Sequence, residues 1–373
     1  MSTFYLGTRK GLFQVSRASS GWRVARVSFL GVQVPMLLPD NRDNTLYAAV
    51  EHGHFGTKFH ASKDGGRTWE ERASPTYPAK PEGVADVLCP MRQKPVPWSL
   101  EKIWALEAGS GQEPGSLWCG TIPGGLFKST DGGVNWTLNE PLWLMPDRAK
   151  WFGGGYDWPG IHSILVDPRD PCRLLLGVSC GGVWETTDSG QSWTVHGTGL
   201  EADYMPPGMQ SDPGIQDVHR LAWCRQAPDN LWVQHHSGVF GSQDGGRNWR
   251  RFRNASPSDF GFVVAVHPTD PKTAWFVPGQ QDDIRLPADA SLCVMRTRDG
   301  GETFEALRIG LPQDHAYHLV YRHGLDVSAD GKTLAFGSTT GSVWISEDAG
   351  DTWERLSADL PPVYCTRFDH SAE

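Results

Sequence analysis

The sequence predicts an all-β chain folded as a seven-bladed β-propeller, and three observations carry that expectation. A short motif recurs six times with a worn seventh copy, short alternating apolar strands precede the copies, and the two chain ends hold complementary pieces of one blade. Composition agrees: aromatics make up 11% of 373 residues, with 17 Trp, 43 Gly and 27 Pro. That is a packed, turn-rich protein and not a helical or disordered one.

The motif is Ser/Thr-x-Asp-x-Gly-x-x-Trp/Phe, at residues 62–69, 129–136, 186–193, 242–249, 297–304 and 346–353. Its acidic residues Asp64, Asp131, Asp188, Asp244, Asp299 and Asp348 are spaced by 67, 57, 56, 55 and 49. Such periods suit one four-stranded blade each. Residues 16–22 form the worn copy, with Ala18 in place of the Asp. Physically the motif is a tight hairpin turn: the carboxylate can accept backbone N–H groups and the Gly supplies positive φ. The closing aromatic then points into the space between sheets, where it buries a large surface. These residues are expected to hold the fold together and to take no part in chemistry.

Before each copy lies a short apolar strand, such as Val183-Trp184 or Val343-Trp344-Ile345. Two further strands precede it, joined by an Asp/Pro turn, as in residues 164–178 and 264–277. The unit reads as strands a, b, c, d with the motif on the c–d turn. Residues 3–8, 11–16 and 22–29 supply b, c and d of a blade that lacks a. Residues 363–368 are a spare strand, and pairing the two would remove the exposed sheet edges. The whole chain, 1–373, is therefore expected to be one propeller domain.

The net charge of -9 lacks the basic patch of a nucleic-acid binder. No apolar run approaches the ~18 residues of a membrane span, and residues 1–10 lack a signal-peptide core. Seven Cys without CxxC spacing argue against structural zinc and a disulfide framework. The expected setting is the cytoplasm, with no nucleic-acid or membrane partner.

The repeated motif resembles the Asp-box (BNR) repeat of the sialidase superfamily, over almost the whole chain. More narrowly, residues 7–13 and 167–171 are similar to bacterial proteins grouped as sialidase-like or glycosyl-hydrolase BNR-repeat proteins. The resemblance implies a propeller. It implies little about chemistry, because similar boxes occur in sialidases, xyloglucan-cleaving hydrolases, sortilin-type receptors and a photosystem assembly factor. A sialidase would carry an Arg-Ile-Pro motif near its start and six blades. The nearest approach here is Arg285-Leu286-Pro287, in the sixth unit, so no sialidase catalytic residue is carried over.

Long connections fall at residues 73–98, 139–160, 197–214 and 309–321 between d and a, and at 279–290 between b and c. In a four-stranded antiparallel blade these emerge on one face, and insertions on one face of a repeat fold usually mark the binding face. They carry Tyr156, Asp157, Trp158, Asp203, Tyr204 and Gln281. Aligning the strands a places His162 and His219 in one repeat position, followed by Phe262 and Arg322. His52, His54, His235, His236, His315, His318 and His323 lie on or near the same rim. Two readings of His162 and His219 compete: hydrogen-bonded spacers in a polar channel, or imidazoles that bind a metal or move protons.

The expected function is a carbohydrate-active enzyme, hydrolase or lyase, acting on a small glycoside or oligosaccharide in the central funnel of that face. The catalytic candidates are His162, His219, Arg322 and Asp157. Trp158, Tyr156, Tyr204, Phe262 and Gln281 are the substrate-binding candidates, and His162, His219 and His236 the ligands of a divalent metal if one is bound. The alternative, from another class, is a non-catalytic scaffold or assembly factor that holds a protein on the same face.

Overall fold

In the computed structural model, which describes residues 2–370, the backbone forms seven four-stranded antiparallel sheets, a seven-bladed β-propeller. The innermost strands are Val363–Asp369, Gln33–Asp40, Lys102–Ala108, Ile161–Val166, Val218–Cys224, Gly261–Val266 and Leu325–Val327. Each touches the next, and the last touches the first, around a central axis.

The first blade joins the chain ends. Thr3–Thr8, Gly11–Ala18 and Gly21–Ser28 form its outer three strands, and Val363–Asp369 completes it. Phe4 pairs with Phe368 and Leu6 with Thr366, in antiparallel register. Val363, Cys365 and Phe368 send buried side chains into the gaps beside this strand.

The six repeated turns share one hydrogen-bond pattern. In the second blade, Asp64 Oδ1 accepts the backbone N–H of Arg67 and Thr68 at 2.9 Å, and Oδ2 accepts the Thr68 hydroxyl at 2.7 Å. The Ser62 hydroxyl oxygen accepts the Gly66 N–H at 2.8 Å, which ties the corner to the preceding strand. Glycine is needed at the corner for two reasons. At Gly301 φ is +92°, and a Cβ there would run into the Phe252 ring of the neighbouring blade. The turn aromatics do reach across blades, as Trp136 does in packing edge-on against Phe59 at 5.3 Å. Trp69, Trp136 and Trp193 are nevertheless only half-buried. The turn aromatics Trp249 and Trp353 are buried, and the fully buried tryptophans are Trp184, Trp275 and Trp344 of the sheets and Trp151 of a connection.

The core is distributed between blades. Leu175 and Val183 of the fourth blade, for example, pack with Leu221, Val233 and Phe240 of the fifth. The a–b turns add charged links between neighbours. Arg42 reaches from the second blade to the Ser110 and Ser116 carbonyls of the third at 2.8 and 2.7 Å. Arg169 binds Asp229 of the fifth blade with both terminal nitrogens at 2.8 Å. No helix among the described residues is long and apolar enough to cross a membrane.

Candidate functional site

On the face where the d–a and b–c connections emerge, the first residues of the innermost strands converge on the axis. His162 and His219 do occupy one repeat position, and each bonds the first residues of the next innermost strand. His162 Nε2 donates to the Val218 carbonyl at 2.6 Å, and His219 Nδ1 donates to the Gly261 carbonyl at 2.6 Å. An imidazole reaching a carbonyl one blade on is thus a structural link in both units.

The second ring nitrogen separates them. His162 Nδ1 meets the Ser163 hydroxyl at 3.0 Å, and the ring is fully buried against Trp104 at 5.3 Å. Burial pushes its pKa well below the usual histidine range. Both nitrogens are engaged with protein and none is free for a metal or a substrate. The expectation that His162 is a catalytic or metal-binding residue is corrected accordingly: it is a spacer. Its own carbonyl accepts from His323 Nε2 at 2.7 Å and Arg220 Nη1 at 3.2 Å, which closes the channel at this level.

His219 Nε2 instead faces Asp217 Oδ2 at 3.2 Å. His236 Nδ1 approaches the same oxygen at 3.4 Å, and its backbone N–H donates to the Asp217 carbonyl at 3.0 Å. Asp217 Oδ1 accepts the Cys180 N–H at 3.2 Å and faces the Ser179 hydroxyl at 3.4 Å. Burial alone would raise the Asp217 pKa; the facing imidazoles and the nearby Arg322 guanidinium outweigh it and hold the carboxylate ionised. Burial also keeps His219 below its ordinary range. Its ring stacks on Phe262 at 4.5 Å.

Arg322 lies 4.8 Å over Trp104 and 5.6 Å over Phe262. It is only 8% exposed, its Nε has no hydrogen-bond partner, and among the described residues no carboxylate lies within 4.0 Å of the guanidinium. Burial pushes its pKa down. A cation so placed, between aromatic faces and with no carboxylate in ion-pair contact, is arranged to receive an anionic or strongly polar group.

The remaining candidates form the rim. Tyr204 packs edge-on against His236 at 4.7 Å and Tyr156 against Trp104 at 5.0 Å, both partly exposed. Trp158 is half-buried beside the Glu101 carboxylate. Asp157 is exposed and paired with Arg92, outside the imidazole cluster, which removes the reason for giving it an acid–base role. Gln281 is exposed and bonds Asp283, while its loop brings Asp282 to 4.0 Å from His236 Nε2. His52 and His54 are held apart at an exposed single turn, Gly53–Phe55, and His318 bonds Thr340. Asp217 and Trp104 are not among the sequence candidates, and His323 is among them only as a rim histidine, without its bond to the His162 carbonyl. Asp217 was detectable as Asp217-Val218-His219: alternate residues of a strand point to the same side.

Aromatic and charged side chains fill the mouth, and a cavity of about 460 Å³ opens at the opposite end of the axis. It is lined by the far ends of the innermost strands, with Arg220, Glu107, Asp326 and Arg367 projecting inward. Its charges are largely spent on the protein: Arg367 faces Glu107 at 3.6 Å, and Asp326 accepts the Phe368 N–H at 2.8 Å.

A propeller of this form, with an imidazole–carboxylate cluster at its mouth, has relatives among glycan-cleaving enzymes. The chain is 25% identical over 191 residues to the oligoxyloglucan-reducing end-specific xyloglucanase of Emericella nidulans, covering 49% of this chain and 22% of that protein. It is 25% identical over 287 residues to a probable enzyme of the same name from Neosartorya fischeri, covering 69% and 32%. The chain thus spans a third or less of these relatives. No family model matches it. Among solved structures, an ancestral GH74 enzyme superposes with a TM-score of 0.58 at 15% identity, over 91% of this chain and 38% of that one. YCF48 from Cyanidioschyzon merolae superposes with a TM-score of 0.53 at 14% identity, over 88% and 87%. These likenesses establish the seven-bladed propeller fold.

Proposed function

We propose that this protein is a carbohydrate-active enzyme, a hydrolase or lyase, acting on a small glycoside or oligosaccharide at the face where the d–a and b–c connections emerge. The observation that carries the reading is the Asp217 carboxylate, buried and held ionised between two imidazoles, beside an Arg322 guanidinium that binds no protein acceptor. Such a set can accept a proton, pass it to solvent through the partly exposed His236, and stabilise negative charge at a ligand oxygen. Tyr156 and Tyr204 offer rings at the rim on which a sugar face can stack. The xyloglucanase relatives support a glycan as substrate class.

The same reading takes the repeated turns as Asp-boxes of the sialidase-like superfamily, the whole ring as one functional unit, and the cytoplasm as its setting. Seven free thiols, six of them buried, are compatible with a reducing compartment.

The test is product analysis by chromatography on a panel of neutral and acidic oligosaccharides, including xyloglucan fragments. Wild type should cleave at least one member of the panel. Asp217→Asn should lose at least about 100-fold in kcat/KM, the scale of a positioned acid–base group, while Asp157→Ala stays within about threefold. Full activity in a folded Asp217→Asn protein overturns the assignment. Absence of both binding and cleavage across the panel favours the scaffold alternative.

A further inference from the structure

Asp217, His219 and His236 together have the chemistry of a metal site. Their ligand atoms, one carboxylate oxygen and two imidazole nitrogens, all lie within 4.8 Å of one another. Asp217 Oδ2 is 3.2 Å from His219 Nε2 and 3.4 Å from His236 Nδ1. Two donors at about 2.1 Å from a tetrahedral zinc ion sit roughly 3.3–3.4 Å apart. Two of the three edges therefore already have the length a bound ion would impose.

The proton inventory points the same way. A neutral imidazole carries one N–H, and the 2.6 Å contact with the Gly261 carbonyl takes that of His219 at Nδ1. Nε2 is left with its lone pair facing Asp217 Oδ2 at 3.2 Å, and a metal ion between the two would satisfy both. A metal ion draws His236 into the same arrangement and uses all three lone pairs.

The surroundings are those of ligands fixed from behind. The Gly261 carbonyl orients His219, the Cys180 N–H orients Asp217, and Asp282 stands 4.0 Å behind His236 Nε2. Outer partners of this kind set tautomer and ring orientation in metalloproteins. Phe262 stacks on one imidazole and Tyr204 packs against the other, which restricts both rings. No histidine of the cluster is close to another in sequence at metal-motif spacing, so the site exists only in the folded ring.

We propose that Asp217 Oδ2, His219 Nε2 and His236 Nδ1 bind one divalent transition-metal ion, with its remaining coordination position directed to the mouth of the propeller. Two imidazoles and a carboxylate suit zinc or iron(II) better than magnesium or calcium. Three protein ligands are the pattern of sites that keep a position open for water or substrate. With one carboxylate against a divalent ion and Arg322 nearby, that position favours an oxyanion. The proposal shares its location with the glycan reading above but not its test, since metal binding is measured without any sugar.

The full-length protein, stripped with a chelator and dialysed, is titrated with zinc chloride by calorimetry and with cobalt(II) chloride by visible absorption. Wild type should take up one equivalent and develop the d–d bands of a four- or five-coordinate cobalt site. His236→Ala, whose side chain is 22% exposed and so is expected to leave the fold intact, should weaken zinc binding at least about tenfold. Asp217→Asn should do the same, with circular dichroism confirming that it is folded. His318→Ala should bind as wild type does. No stoichiometric uptake by wild type, or uptake unchanged in folded His236→Ala, overturns the proposal. Metal uptake without glycan cleavage refutes the enzyme reading alone; glycan cleavage without stoichiometric metal uptake refutes the metal site alone.

Discussion

His162 and His219 show how one repeat position acquires two uses. Both rings spend one nitrogen on a carbonyl of the next blade, so both positions are structural. What differs lies two residues earlier: Gly160 before His162, Asp217 before His219. A Cβ at Gly160 would collide with Trp104, so that unit has no room for a carboxylate, and the Trp104 ring covers His162 instead. The repeat alignment found the position from the sequence, but it treated the two histidines as equals because the preceding residue was not compared. His162→Ala is therefore not a mild change. It removes a buried ring, leaves the Val218 carbonyl without its donor, and should cost about 2–4 kcal/mol. Urea denaturation measures it, and a loss below 1 kcal/mol would show that the channel repacks without the ring.

The hairpin turns and strands could be read almost completely from the sequence, because each is fixed by residues within eight positions of one another. A Ser or Thr, an Asp and a Gly at set offsets determine their own hydrogen bonds. The closure of the channel could not be read in this way. The His323 to His162 contact joins residues 161 apart on different blades, and no local period encodes it. The turns carry a pH signature. Hydroxyl and backbone donors of Ser192 and Thr303 hold Asp188 and Asp299 at about 2. That lies below the unfolded-chain value of about 3.9. A depressed carboxylate contributes stability that is present above the unfolded pKa and is lost as pH falls through the folded one. Thermal midpoints should therefore drop between about pH 4 and pH 2. Asp188→Asn combined with Asp299→Asn should be less stable at neutral pH and should show a shallower acid slope. An unchanged slope would mean that these turns are already open when the ring melts.

Closure decides whether seven blades behave as one cooperative body. Each blade buries its faces against two neighbours, so a ring with one incomplete blade exposes an unpaired strand edge and weakens two interfaces. Val363–Asp369 is the only piece of the first blade that comes from the far end of the chain, and it does three jobs. It pairs along Thr3–Thr8, it buries Val363, Cys365 and Phe368, and through Thr366 it binds the His323 carbonyl at 2.7 Å and the Gly324 carbonyl at 3.0 Å. The last contact links ring closure to the segment that carries Arg322. Truncation after Pro362 also removes residues 371–373, which lie outside the described residues, so a point variant must accompany it. Phe368→Ala keeps the strand and leaves a cavity against Phe4, at a cost of about 3–5 kcal/mol in a still cooperative transition. The truncated chain should lose cooperativity outright and expose the Thr3–Thr8 edge, read as a broadened calorimetric transition and as association in sedimentation. A synthetic peptide of residues 363–370 added in trans should restore the sharp transition. If the truncated chain melts as sharply as Phe368→Ala without the peptide, six blades suffice and the seventh is only an appendage.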